Sequence, residues 1–341
     1  MNRPLRELPA LATVWTATAG DYVNQLCWSP DGRLLAVATA DGAVAVHDAS
    51  DARQHWRRDV HGLGTTALAW SPDGKTLASG GQDNRLCLWS ADGRELQRQP
   101  AGRGWVAALA WSAGGALASI AGRELKLWDE QGRLQQSFGA ADSTLTGLQW
   151  LADGQLLTAC YGVVARWQPG RDEPVRRYPW KASLLNLAVS PDERIITAGC
   201  QEGAIHLWYA NTGDDFQMSG YPTKVLHTAW SVDSRYFATG GGEALIIWDC
   251  AGAGPQNTEP DYQAVHRAPV SAIAFSHGDG RVASGGEDGR VFVYDARARA
   301  QLGGLTGEPA ISALAWQPGD ALLALGDAEG GVRVCVAPTT E

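Results

Sequence analysis

The chain has 341 residues, 45% of them hydrophobic and 19% charged, with 41 glycines and a formal net charge of −9. No Lys/Arg cluster stands out of this acidic balance, which argues against a general nucleic-acid binder, since phosphate contacts need a basic surface. No apolar stretch approaches the length needed to span a bilayer, and so much glycine fits a chain of many tight turns.

The first segment, MNRPLRELPALATVW, has no long apolar core and no clear cleavage site. It reads as no signal peptide, and a cytoplasmic location is expected. The Ala/Gly/Arg-rich wording suggests a GC-rich bacterial source. Residues 11–16, LATVWT, form a lone strand pattern. After it one phrase recurs eight times: LCWSPDG, LAWSPDG, LAWSAGG, LQWLADG, LAVSPDE, TAWSVDS, IAFSHGD and LAWQPGD. Each apolar run ends on an anchor, in order Trp28, Trp70, Trp111, Trp150, Val189, Trp230, Phe275 and Trp316. A spacing near forty residues across the chain means stacked or radial repeats in one domain rather than a two-domain enzyme.

The second unit shows the internal grammar. Thr65–Trp70 is a short apolar run, Ser71-Pro72-Asp73-Gly74 a turn, and Thr76–Gly80 a second strand. After the reversal at Gln82-Asp83-Asn84, the alternating Arg85–Trp89 is a third strand, and Glu95–Gln99 a polar fourth. Each unit is thus a four-stranded antiparallel meander. In first strands such as Leu68-Ala69-Trp70, large and small residues alternate, so bulky faces stack on hollow ones and seal a core between neighbours. Gln25, Gln149, Asn186 and His227 interrupt this pattern, and we read them as hydrogen-bonded residues near a central channel.

These features resemble the WD40-repeat β-propeller family. Trp128-Asp129 and Trp248-Asp249 match the Trp-Asp pair that ends the family's third strand. Trp89, Trp167 and Trp208 keep only the tryptophan, while Tyr294-Asp295 and His47-Asp48 keep only the aspartate. The family's buried tetrad is complete as His61, Ser79, Asp83 and Trp89. In unit seven it reads His266, Ser284 and Asp288 with Tyr294 in the tryptophan's place. The other units lack a full set, so the resemblance implies weaker blades at units three to six and eight. The implied fold is all-β: a single closed propeller of eight blades, each of four antiparallel strands, with seven blades as the alternative. The expected blades are 22–62, 63–102, 103–141, 142–181, 182–222, 223–266, 267–308 and 309–337, the last completed by strand 11–16. Closing the ring in this way protects edges that otherwise invite aggregation.

Motifs for chemistry are missing. Ser79-Gly80-Gly81 and Ser284-Gly285-Gly286 fall between strands and read as turns, not phosphate loops. Asp31, Asp73, Asp153, Asp192 and Asp233 recur with the repeat and read as turn formers. The six cysteines form no CxxC pair; Cys160 and Cys200, near His206, are an outside candidate for a soft-metal site. No cofactor is expected.

The family resemblance places the loops entering first strands, and the turns between second and third strands, on one face where partners dock. On that face Trp105, Tyr161, Trp180, Lys181, Tyr221 and Lys224 fall on consecutive blades, with Tyr22 and Arg267 extending the arc. Aromatics mixed with cations are residue types that anchor interfaces. Trp180 also occupies the slot of the tetrad histidine. The expected function is a non-catalytic scaffold binding partner proteins or peptides, with no nucleic acid and no membrane as partners. A small-molecule, metal or enzymatic site in the central channel is the alternative.

Overall fold

A computed structural model describes residues 9–339. Eight separate four-stranded antiparallel sheets follow one another, and in seven of them the strand order is the chain order. We call the strands of each blade a to d. Strand a ends at the anchor in every case, as Val23–Trp28, Thr65–Trp70, Val106–Trp111, Gly147–Trp150, Ala188–Val189, Thr228–Trp230, Val270–Phe275 and Ile311–Trp316. The eighth blade takes its strand d from the other end of the chain: Thr13–Thr18 pairs antiparallel with Gly331–Val336. That strand lies two residues later than the sequence pattern suggests, with Trp15 aligned to Val334. Among the described residues no helix is long and apolar enough to cross a membrane.

The buried apolar side chains fall into eight clusters, each between two adjacent blades. Trp15, Val23, Trp28, Ala324 and Val334 fill the seam between blades eight and one; Ile205, Leu207, Val225 and Phe237 fill that between five and six. At about 25 cal/mol per Å² of apolar surface removed from water, these seams are the main stabilising term. The repeat-linked aspartates sit in a–b turns. Ser29 donates to Asp31 at 2.6 Å, Ser71 to Asp73 at 2.7 Å and Ser190 to Asp192 at 2.6 Å, while backbone amides two residues on also point at the carboxylates. These bonds hold the Asp73 carboxyl down at about 2.

Two rings of hydrogen bonds cross the seams on the channel side. In the first, the side chain four residues before the anchor donates to the next blade's backbone. Asn24 reaches Thr65 O at 2.8 Å, Thr66 Val106 O at 2.7 Å, Thr146 Leu184 O at 2.9 Å, Ser271 Ile311 O at 2.5 Å and Ser312 Val23 O at 2.7 Å. In the second, an anchor indole donates to the carbonyl before the preceding blade's anchor. Trp28 reaches Ala315 O, Trp70 Cys27 O, Trp111 Ala69 O, Trp150 Ala110 O and Trp316 Ala274 O, all between 2.9 and 3.2 Å. Strand a carries a β-bulge near its start in blades one, two, three, seven and eight. A bulge re-aims the side chain beside it, here onto the neighbouring blade in four of those five.

Gln25 and Asn186 belong to the same stitching. Gln25 bonds the backbone N and O of Leu68, and Asn186 donates to Leu226 O at 2.9 Å while accepting from Gly199 N at 2.7 Å. His227 is partly buried, and burial lowers its pKa.

Candidate functional site

Because the strands of a blade are consecutive and antiparallel, all d–a connections and b–c turns open on one face, here the entry face. The histidine networks lie just beneath it. His61 is fully buried, with Nδ1 2.8 Å from Asp83 and Nε2 3.0 Å from Ser79, and the Trp89 indole donates to the same serine at 3.0 Å. Desolvation lowers the His61 pKa, although Asp83 pulls the other way. His266 repeats the pattern, 2.8 Å from Ser284 and 3.3 Å from Asp288. Tyr294 departs from it: its hydroxyl donates at 2.6 Å to Asp261 of strand d in blade six, not to Ser284. A phenol is longer than an indole and carries its polar atom past the serine.

Two further blades rebuild the network with other residues, which the sequence pattern had hidden. In blade six Tyr221 takes the histidine slot. Its hydroxyl lies 2.9 Å from Thr239 Oγ1 and accepts the Trp248 indole N–H at 3.0 Å, and burial pushes the phenol up to about 12. Tyr221 is therefore a buried strut, not an exposed member of the arc. In blade one the slot holds Ala19, and Arg57 from strand d fills the space, donating to Ala19 O and, at 2.9 Å, to Asp41. In blade five Trp180 occupies the slot and stacks on His206, ring centroids 3.7 Å apart and 13° from parallel. It is only partly buried.

The remaining arc residues are on the surface. Trp105 is 60% exposed in the connection entering blade three, Tyr161 53% in the b–c turn of blade four, and Tyr22 41% before blade one. Lys181, Lys224 and Arg267 are exposed in the connections entering blades five, six and seven, beside the exposed acids Glu202, Glu243 and Glu287 on b–c turns. The Arg267 backbone N–H is held by Asp288 at 2.7 Å, which fixes that loop. Sequence reading missed two apolar residues on this face, Leu63 and Leu226, both exposed. Leu63 stands between glycines (Gly62 and Gly64), a signal for a protruding tip.

Cys160 and Cys200 do not converge. Cys160 belongs to the core between blades three and four and Cys200 to that between four and five. Burial raises both thiol pKa values, Cys200 to about 11, which disfavours the thiolate that a metal requires. Among the described residues no group of three His, Cys, Asp or Glu side chains is placed to hold a metal ion.

Residues 10–57 match the model of the anaphase-promoting complex subunit 4 WD40 domain. Residues 56–90 and 262–295 match the WD domain, G-beta repeat; these are the two stretches that carry the His–Ser–Asp networks. The WD repeat-containing protein srw1 of Schizosaccharomyces pombe is 26% identical over 242 residues, 67% of this chain and 43% of that protein. The anaphase-promoting complex subunit cdc20 of Dictyostelium discoideum is 25% identical over 177 residues, 49% of this chain and 35% of that protein. The match thus spans less than half the length of either relative. Among solved structures, the computationally designed Ika8 protein superposes with a TM-score of 0.80 at 22% identity, covering 96% of this chain and all of that one; this likeness concerns the fold alone.

Proposed function

We propose that this chain, a WD40-repeat β-propeller, is a non-catalytic interaction scaffold that binds a partner protein or peptide through its entry face. The observation that carries the reading is the placement of the exposed aromatics. Of the four large aromatic side chains standing exposed among the described residues, Tyr22, Trp105 and Tyr161 are on this face and only Tyr262 is on the outer rim. Large aromatics give much contact area at small entropic cost, and their exposure on one face is a feature of interaction surfaces. Lys181, Lys224 and Arg267 supply a charged border, and Trp180 a partly buried edge. The net charge of −9 supports a protein rather than a nucleic acid as partner. Similarity to a protein named as a subunit of a complex supports it further.

The test is affinity capture from the native host with quantitative mass spectrometry, comparing the unaltered chain with the double variant Trp105→Ala, Tyr161→Ala. Both side chains are exposed, so melting should stay within about 1 °C, as for surface substitutions generally. Partners should be lost with the variant; an unchanged partner set removes the entry face from consideration.

A further inference from the structure

One part of the entry face has a charge and shape that the aromatic arc does not use. A groove of 620 Å³ opens where blade three meets the connection to blade four, lined by Arg103, Arg123, Glu124, Ser137, Phe138 and Thr144 among others. Its floor is built. Gly102 and Gly104 flank Arg103 and lie flat on the b–c turn of the same blade; a Cβ on Gly102 would stand 2.8 Å from the Ala121 Cβ, and one on Gly104 2.7 Å from the Gly122 Cα. Both are closer than real Cβ contacts, so the close approach requires glycine. It sets Arg103 beside Arg123, whose Nε donates to Ala141 O at 2.6 Å, anchoring that guanidinium at the groove.

The charges do not cancel. Arg103 has no ion-pair partner among the described residues. Glu124 is taken by Lys126 at 3.1 Å, and Asp142 in the neighbouring connection by Arg177 at 2.6 Å. Two guanidiniums are left uncompensated on a protein that is acidic as a whole. Beside them stand the hydroxyls of Ser137 and Thr144, and Phe138 supplies a buried apolar wall. Trp105, two residues from Arg103 in the same connection, stands exposed.

We infer that this groove receives a phosphorylated serine or threonine side chain of a partner peptide. This deepens the docking reading above and rests on it. A phosphomonoester carries about −1.5 to −2 charges at neutral pH and three acceptor oxygens, matching two guanidinium forks and a hydroxyl. A single carboxylate would leave one arginine unpaired. Arginine suits the task because its planar fork meets oxyanions bidentately. The exposed indole offers a platform for a residue flanking the phosphate, which inorganic phosphate would leave unused.

The experiment measures fluorescence anisotropy with a labelled degenerate phosphoserine/phosphothreonine peptide library, its unphosphorylated twin, a single-stranded oligonucleotide, and inorganic phosphate as competitor. The phosphorylated library should bind and its twin should not. Arg103→Gln should weaken binding about tenfold or more, the worth of one charged hydrogen-bonded contact, and Arg103→Lys should recover part of it. Equal binding of the twin, equal binding to Arg103→Gln, preference for the oligonucleotide, or complete competition by stoichiometric inorganic phosphate would each overturn the inference. Phosphatase treatment of the host lysate separates it from the broader reading. Capture that survives phosphatase and Arg103→Gln but fails with the Trp105/Tyr161 variant keeps the docking face and removes the phosphate. Capture indifferent to Trp105 and Tyr161 removes the face itself.

Discussion

Blades seven, eight, one, two and three are tied twice at every junction, once by the side chain of the second residue of strand a and once by an anchor indole. The junction between blades six and seven has neither bond, because Leu226 and Phe275 stand where a donor and an indole would be. The junctions on the way there carry one bond or a substitute: Trp150 between three and four, Thr146 between four and five, Asn186 between five and six. Strand a is six residues long throughout the tied arc but two in blade five and three in blade six. Closure of the ring, which joins the two ends of the chain, sits in the middle of the tied arc. On the channel side the ring is therefore doubly stitched where a break in the chain would otherwise open it, and the seam that lacks both of these bonds lies two junctions away, at the edge of the tied arc.

The largest effect should come from the seam that closes the ring. Trp15 is buried on the fourth strand of blade eight, belongs to the core between blades eight and one, stacks on His47 with ring centroids 6.0 Å apart, and donates to Ala49 O at 2.8 Å. Trp15→Ala should cost about 3–5 kcal/mol, the usual range for a large buried aromatic. Tyr262→Ala on the fourth strand of blade six removes an exposed ring and should stay within about 0.5 kcal/mol. Urea unfolding of the two variants measures the contrast; similar losses would mean that closure at blade eight has no special weight.

A smaller effect should follow acidification and fall on the other arc. His206 of blade five is fully buried between Trp180 and Trp208, its ring nitrogens make no hydrogen bond, and Asp215 lies 3.3 Å from Nε2. Desolvation outweighs that carboxylate and lowers the His206 pKa from 6.5 to about 4. Between those values the unfolded chain binds a proton that the folded chain refuses, so stability rises with pH there and is lost as pH falls from 6.5 toward 4. His47, His61, His227 and His266 shift in the same direction and add to the slope. His206→Phe keeps a ring in the stack and removes one titrating group. Its melting temperature should fall less than that of the unaltered chain between pH 7 and pH 5. Hydrogen exchange at pH 5 should place the loosening of the unaltered chain in blade five; equal slopes would show that the stack tolerates the charge.

The repeat was readable because its determinants are local. Anchor, turn and glycine recur at a fixed interval, so blade number and chain closure followed from counting. What decides the strength of a seam is not local. Asn24, Thr66 and Ser312 look like ordinary polar residues in strands until the neighbouring blade supplies a carbonyl, and the bulge that aims them leaves no mark in the periodicity. For the same reason blade eight, whose third strand ends in Val334-Cys335-Val336 and lacks the family's Trp-Asp pair, resembles a weak unit in sequence yet is doubly bonded on both sides. The arc residues were read from entry loops and b–c turns alone. That found Trp105 and Tyr161 but could not tell that the Tyr221 ring turns inward to replace a histidine. Arg103 went unnoticed because an arginine between two glycines looks like a solvated tip, and its neighbour in space, Arg123, is twenty residues away.

The smallest effect is the most discriminating, because it adds a bond rather than removing one. Leu226 holds the position of Thr66 and Thr146 in blade six and is exposed at the channel mouth. Thr146 shows that the bond needs no bulge: blade four has none, and its hydroxyl still reaches Leu184 O at 2.9 Å. The corresponding acceptor for Leu226→Thr is the carbonyl of Val270, which starts strand a of blade seven. Little apolar burial is lost with an exposed leucine, so the new bond should stabilise by about 0.5–1 kcal/mol, the ordinary net value of an intramolecular hydrogen bond. Amide exchange should slow in Thr228–Trp230 and Val270–Phe275 and stay unchanged in Val23–Trp28 and Thr65–Trp70. Protection that rises equally around the ring would mean that the propeller opens as one unit and that the two arcs differ in bonding without differing in stability. Protection confined to the sixth and seventh blades would show that the missing hydroxyl, rather than the short strand, limits that seam.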